Sequence, residues 1–326
     1  MKAIICPKYG SADVLQFREV EKPTPKDDEV LVKIHASTIN SADYDCLRGT
    51  PIVRFGGLRK PRFKILGSDI AGTIESVGRN VKQFQQGDEI FADKSFPDYG
   101  AFAEYVCVPE SNLTLKPAKM TFEQAATIPQ AAVAALQGLC NKEQIPRFRP
   151  GQAVLINGAG GGMGSFAIQI AKVFGAEVTG VDSTEKVDII RSTGADYVID
   201  YTEENFTKKG KTYDLILDMA AHHSIFDYKR SLNPKGIYRI VGGSWKTILQ
   251  VLFFGPIFSL FGSKRMSITA WKPNKKEDIN FIIELFETGK LIPIIDKRYP
   301  LSKITEVFRY FEKGHCKGKL VIKMDE

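Results

Sequence analysis

What this chain of 326 residues has little of narrows the reading first. Cysteine is scarce: Cys6, Cys46, Cys107, Cys140 and Cys316 are five in number, which is odd, and no two have CxxC spacing. A disulfide framework is excluded as the basis of the fold, and a reducing, cytoplasmic setting is the expectation. The start, "MKAIICPKYG", has no long apolar run, so no secretory leader is expected. No compact Lys/Arg block reads as a nucleic-acid arm, so no specific nucleic-acid partner is expected. The net charge of +7 at pH 7 is modest for the length and favours anionic ligands such as nucleotides.

The length suggests two domains. Residues 1–121 read as β-rich. In "EVLVKIHAS", Val30, Val32 and Ile34 alternate with Leu31, Lys33 and His35, and "DIAGTIESVG", "GDEIFAD" and "GAFAEYVCVP" are further short strands. A small barrel or sandwich is expected there. From residue 122 to 268 the texture changes to strands alternating with helical segments, the pattern of a parallel sheet covered on both faces. Residues 269–326 add two amphipathic helices and a last strand, "GKLVIKM". The stretch "TILQVLFFGPIFSLFG" (247–262) stands apart because it is almost wholly apolar. It is shorter than the ~20 residues of a membrane span, and Gly255 and Pro256 interrupt it. The leading reading is a buried or substrate-covering segment. A dimer contact or an interfacial membrane contact is the lesser alternative.

The strongest chemical signal is "VLINGAGGGMGSFAIQIAKVFGAEVTGVDST". A strand runs into a glycine-rich turn, Gly158, Ala159, Gly161, Gly162, Met163 and Gly164, and a helix follows. In the GxGxxG register the small positions are Ala159, Gly161 and Gly164. The first permits the tight turn, the second lets backbone approach a pyrophosphate, and the third lets helix and strand pack closely. The helix N-terminus offers free N–H groups to phosphate. Asp182, at the end of the next strand, lies near the spacing of a ribose-binding carboxylate. It favours NAD(H), whereas Ser183, Lys186 and Tyr201 suit the 2′-phosphate of NADP(H), so both cofactors stay open.

The chain as a whole resembles the medium-chain dehydrogenase/reductase superfamily, and within it the zinc-independent quinone oxidoreductase branch. The resemblance rests on "MKAIICPKYG", "LGSDIAGTIESVGRNVKQFQQGDEIF", "GAFAEYVCVPE", "INGAGGGMGSFAIQIAKVFGAEV", "GADYVIDY" and "GHCKGKLVIKM". It implies an α/β protein: a GroES-like β-rich catalytic domain plus a Rossmann domain with a doubly wound parallel sheet, and an active site in a cleft. It also implies that Thr127, Val241, Gly242 and Gly243 lie near the nicotinamide and Lys317 near the adenosine phosphate; Asp218 ends a strand on the same edge and is a further candidate cofactor contact.

Zinc-dependent members of the superfamily place a Cys where this chain has Asn40, a His where it has Ser68 and a Glu where it has Asp69. Asn40 and Ser68 are poor zinc ligands, and the four-cysteine structural lobe is missing, so no metal is expected. The apparent ligands in "HASTINSADYDCLR" have plainer readings. His35 sits on an alternating strand, and Cys46 reads as a small buried hydrophobe. Asp43 and Arg48 read as loop-ordering residues, pairing with each other. His222 and His223 read as solvated, with lining of the cleft as the lesser alternative. The basic loop "RFGGLRKPRFK" (54–64) reads as a solvated flap.

Without a Lewis acid, the chemistry expected is NAD(P)H-dependent hydride transfer to an electrophile that needs little activation, a quinone or α,β-unsaturated carbonyl. Asn40 is the candidate carbonyl-binding amide and Tyr44 the candidate hydrogen-bond or proton donor. The alternatives are a 2-enoyl-thioester reductase, whose acyl chain the 247–262 segment would line, and a non-catalytic nucleotide-sensing or RNA-binding module. The resemblance also suggests a homodimer joined at Rossmann sheet edges, with "RMSITAW" as the candidate edge strand.

Overall fold

The structure is a computed structural model that describes residues 1–54, 57–95 and 98–324. Two compact units form. One comprises residues 1–131, 273–283 and 295–326, and the other 132–272 and 284–294. The sequence division at 121/122 and 268/269 thus compares with chain crossings at 131/132 and 272/273, and residues 284–294 return to the second unit.

In the first unit the long strand Glu29–Thr38 organises the rest. It pairs antiparallel with Asp69–Val77, with Tyr105–Pro109 and with the late strand Lys319–Lys323. Asp69–Val77 continues antiparallel to Glu89–Asp93. Val30, Val32 and Ile34 turn into a core with Ile70, Ile74, Ile90 and Val108, as the alternation predicts. Lys33 is exposed on the other face. His35 is half-buried; its Nε2 lies 3.0 Å from Thr73 Oγ1, and its ring packs 4.4 Å from that of Phe122. Cys46 is buried, and burial pushes its thiol up to about 12. The short helix Ser41–Arg48 follows the long strand and ends on Gly49 at φ +64°, a left-handed position that suits glycine.

The expected Asp43–Arg48 pair does not form. Asp43 is fully buried and accepts from the Asn40 backbone N–H at 2.8 Å, closing the start of the helix. Arg48 instead lies 3.7 Å from Glu312. Within the basic loop 54–64, residues 55 and 56 lie outside the described residues.

In the second unit the strands Tyr197–Asp200, Glu177–Asp182, Ala153–Asn157, Tyr213–Asp218, Leu232–Ile240 and Arg265–Ile268 lie side by side in that order, every neighbouring pair parallel. In chain order this is 3-2-1-4-5-6, the doubly wound arrangement, whose ligands bind where the strand order reverses. Arg265–Ile268, from "RMSITAW", is an edge strand. The apolar stretch forms the helix Trp245–Phe261 beside it. The leading reading of that stretch was a buried or substrate-covering segment; it is not buried, since Leu249, Leu252, Phe253, Ile257, Leu260 and Phe261 are all exposed.

Candidate active site

In the second unit the strand Ala153–Asn157 ends in a turn whose glycines have separate tasks. Gly158 takes φ +84°, closed to most side chains. A Cβ on Gly164 would come within 2.2 Å of the Gly158 carbonyl oxygen, so the helix Gly162–Val173 approaches the strand as closely as it does only because that position has no side chain. Gly161 differs, since a Cβ there would meet nothing nearer than 3.5 Å. Nothing inside the protein requires glycine at that position, whereas close approach of a phosphate does. Gly162, Met163 and Gly164 form the first helical turn, whose N–H groups precede any intrahelical acceptor.

Asp182 is buried, and its carboxylate closes the turn from behind. Oδ2 accepts from the Gly160 N–H at 3.0 Å, Oδ1 accepts from the Ser183 N–H at 2.9 Å, and Lys186 Nζ lies 3.2 Å from Oδ1. The Lys186 stem packs where a Cβ on Gly160 would sit, 2.6 Å away. The ammonium of Lys186 therefore neutralises Asp182 and lowers that carboxylate's repulsion of a nearby phosphate. A cavity of about 350 Å³ opens here, lined by Asn157, Gly158, Val181, Asp182, Tyr201, Ala220 and His222. It sits at the C-terminal ends of the strands, beside the reversal of strand order. His222 is thus part of a wall rather than merely solvated. Its Nδ1 lies 3.0 Å from the Ala220 carbonyl, and its ring meets Tyr201 edge-on at 6.4 Å.

Asp218 lies beneath this cavity. It is fully buried, with Asn157 Nδ2 donating at 2.8 Å, Tyr238 Oη at 2.9 Å and the Ala220 N–H at 3.1 Å. Burial pushes its carboxyl up, against those hydrogen bonds. Its oxygens serve the strand ends, so its expected ligand contact gives way to a positioning role.

Val241, Gly242 and Gly243 follow the strand Leu232–Ile240 at its C-terminal end, and their backbone is tied to the same strand ends. Val241 donates its N–H to the Asp218 carbonyl at 2.8 Å. The Gly242 carbonyl accepts from the Ala221 N–H at 3.1 Å, and a Cβ on Gly242 would come 3.2 Å from the Met219 carbonyl oxygen. The Gly242 carbonyl is thus engaged inside the protein, and the glycine relieves crowding against residue 219. Gly243 takes φ +135°, and a Cβ there would come within 2.4 Å of the Ala221 backbone. Among the lining residues of the cavity none of these three appears, so they flank it rather than form its wall.

In the first unit the residues at the zinc-ligand positions form one buried network. Asn40 Nδ2 donates to Ser68 Oγ at 3.1 Å and to Asp69 Oδ2 at 2.8 Å. Thr38 Oγ1 donates to Asp69 Oδ2 at 2.6 Å, and the Gln130 N–H to Asp69 Oδ1 at 3.1 Å. The cation is Lys319, whose Nζ lies 2.6 Å from Asn40 Oδ1 and 3.2 Å from Asp69 Oδ2. Sequence reading missed Lys319, because a lysine opening a terminal strand reads as surface. The signal was Asp69 itself, a carboxylate at the start of an apolar strand that calls for a buried cation.

Both amide hydrogens of Asn40 are engaged in this network, so Asn40 holds it together rather than presenting a free amide to a carbonyl. These residues do not fit a zinc ion: they offer one carboxylate and two weak neutral donors, and an ammonium already sits among them. Among the described residues no group of three His, Cys, Asp or Glu has metal-holding geometry.

Two further carboxyls belong to this region. Asp93 is buried, and burial together with the charge of Asp69 pushes it up to about 7. Asp43 is held well above the usual carboxylate range, chiefly by burial. Tyr44 lies on the same helix as Asp43; its Oη donates to Glu312 Oε1 at 2.7 Å, and desolvation and Glu312 push its phenol up. Thr127 is buried, with its hydroxyl donating to the Gln124 carbonyl at 2.7 Å. Lys317 is exposed, and its backbone N–H donates to Asp296 at 3.0 Å.

Comparisons with known proteins agree with this architecture. Residues 26–118 match the alcohol dehydrogenase GroES-like domain, and residues 193–322 match the family described as zinc-binding dehydrogenase. The NADPH-dependent alkenal/one oxidoreductase of Arabidopsis thaliana is 32% identical over 334 residues, covering 99% of this chain and 79% of that protein. The quinone oxidoreductase structure from Coxiella burnetii superposes with a TM-score of 0.87 at 28% identity, over 100% of this chain and 99% of that one. The JamJ enoyl reductase structure does so with a TM-score of 0.83 at 26% identity, over 99% of each chain.

A β-rich unit joined to a doubly wound unit with a phosphate-ready glycine turn defines a nicotinamide-dinucleotide-dependent oxidoreductase. The chain belongs to the medium-chain dehydrogenase/reductase superfamily, in its quinone oxidoreductase branch.

Proposed function

We propose that this enzyme reduces α,β-unsaturated carbonyls or quinones with NADPH or NADH and without a catalytic zinc. The observation that carries the reading is the Asn40–Ser68–Asp69–Lys319 network at the zinc-ligand positions, where an ammonium supplies the positive charge. The relatives named for alkenals and quinones support the substrate class. When bound, the nicotinamide supplies the hydride. The glycine turn and the helix start at Gly162 hold the phosphates, and the cavity beside Asp182, Tyr201 and His222 holds the adenosine end. Neutralisation of Asp182 by Lys186 admits a 2′-phosphate there.

The Lys319–Asp69 pair, braced by Asn40, fixes a buried dipole in the catalytic unit. The phenol of Tyr44 stays protonated at neutral pH and is the proton donor of this reading. Replacing Asn40 by alanine is expected to lower kcat about tenfold while leaving the KM for cofactor unchanged, the pattern of lost orientation rather than lost binding. The test is a steady-state screen of small quinones, alkenals and enoyl thioesters against NADH and NADPH. Turnover of quinones or alkenals supports the reading, and turnover of enoyl thioesters alone replaces it with the second one. That second reading, a 2-enoyl-thioester reductase, rests on the superposition with the enoyl reductase structure.

A further inference from the structure

The helix Trp245–Phe261 breaks the usual rule for a surface helix. Its inner stripe is narrow: Thr247, Val251 and Gly255, spaced by four, are buried. A Cβ on Gly255 would come within 2.5 Å of the Met266 carbonyl, so the helix backbone lies directly against the edge strand Arg265–Ile268. Ile248 and Phe258 are partly buried against the same core. The opposite face of such a helix is ordinarily polar. Here it carries Leu249, Leu252, Phe253, Ile257, Leu260 and Phe261, with Leu260 78% and Phe261 88% exposed. Phe226, from the neighbouring helix, extends the patch and meets Phe254 and Phe258 at 5.7 Å each. A contiguous exposed patch of leucine, isoleucine and phenylalanine marks an interaction surface.

Charge says what kind of surface meets it. Residues 228–276 contain ten Lys and Arg and no Asp or Glu. Without those ten, the remaining 35 Lys and Arg face 38 Asp and Glu, a balance of −3, so the whole positive surplus of the protein lies in this one stretch. Several of these cations border the apolar face. Lys246 is in the first turn of the helix, and Lys264 and Arg265 follow its end. Lys229 Nζ stands 3.9 Å over the Phe258 ring, and Lys264 Nζ donates to the Lys229 carbonyl at 2.7 Å.

A second copy of this chain would set like charge against like. An anionic bilayer instead takes the apolar side chains into its acyl boundary and the ammonium groups among its headgroups. At 1.5 Å per residue the helix is only about 25 Å long, so it suits lying in the interface rather than crossing it. Among the described residues no helix is long and apolar enough to cross a membrane. We propose that the helix Trp245–Phe261 and its cationic border form a docking surface for anionic lipid bilayers. The proposal does not depend on the substrate assigned above.

The test is flotation of the full chain with phosphatidylglycerol-containing vesicles and with vesicles of phosphatidylcholine alone. The expected result is binding to the anionic vesicles about tenfold tighter than to the neutral ones, weakening as salt rises. The combined variant Leu252→Ser, Phe253→Ser, Phe261→Ser should lose about tenfold or more of that binding. Its melting temperature and NAD(P)H oxidation in vesicle-free buffer should stay unchanged. The independent variant Lys246→Gln, Lys264→Gln should weaken binding to anionic vesicles only. Absence of wild-type binding to anionic vesicles overturns the proposal, as does binding that the serine variant leaves intact. A dimer in light scattering that the serine variant dissociates also overturns it and assigns the face to a second copy.

Discussion

The two units use buried polar chemistry in opposite ways. In the first unit, Asn40, Ser68, Asp69 and Lys319 turn inward and spend their donors and acceptors on one another. In the second, the turn from Gly158 to Gly164 is held from behind by Asp182, and its front face is left open. One region ties a buried ion pair to the polar groups around it, and the other offers the N–H groups of a helix start to a ligand. A protein that orients a charged cofactor and reduces an uncharged electrophile needs both.

The comparison breaks first at Lys319. Lys319→Ala leaves Asp69 buried without its cation, and a loss of about 3–5 kcal/mol is expected in urea unfolding. A midpoint equal to wild type would mean that the network is not held by this pair.

Asp93 sharpens the same point through pH. Its folded carboxyl titrates at about 7, above the ordinary value of 3.8. Between those values the folded state binds the proton and the unfolded state releases it, so this group's contribution to stability falls as pH rises from about 4 to 7. Asp93→Asn removes that loss. The variant should be more stable than wild type at pH 8 by on the order of 1–3 kcal/mol and nearly equal at pH 4. Thermal melts at the two pH values check this, and a gain of equal size at both would reject the titration.

Gly161 tests the open region. Because a Cβ there meets no protein atom closer than 3.5 Å, Gly161→Ala should fold with an unchanged melting temperature. It should still weaken NAD(P)H binding about tenfold, or ~1.4 kcal/mol, in a fluorescence titration. A fall in melting temperature with unaltered affinity would make the glycine structural.

The smallest stability effect belongs to Tyr44→Phe. The hydroxyl is bonded to a partly exposed Glu312, so stability should change by less than ~0.5 kcal/mol. If Tyr44 delivers the proton, kcat for an alkenal should nonetheless drop by about tenfold. Unchanged kcat would remove it from the reaction.

Much of this was legible in the sequence because local rules carry it. The alternation around Val30, Val32 and Ile34 gave their inward face, and the glycine turn between a strand and a helix gave the dinucleotide region. What was not legible depends on partners far apart in the chain. Lys319 reads as surface until the last strand pairs with Glu29–Thr38 and brings its ammonium to Asn40, 279 residues away in sequence. Asp218 reads as a ligand contact at a strand end until Asn157 and Tyr238 close over its oxygens. The exposed face of the apolar helix was not legible for another reason. Its composition says that it avoids water but not what covers it, and among the described residues most of its outer face is covered by nothing.

The proposed zinc independence rests on the ammonium–carboxylate network of Asn40, Ser68, Asp69 and Lys319. The most direct measurement is metal content by mass spectrometry on the purified protein, paired with NAD(P)H-dependent reduction of a small alkenal before and after chelation. The account predicts less than about 0.1 zinc per chain and a rate that chelator leaves unchanged. About one zinc per chain, with activity lost on chelation and restored by zinc, would contradict it.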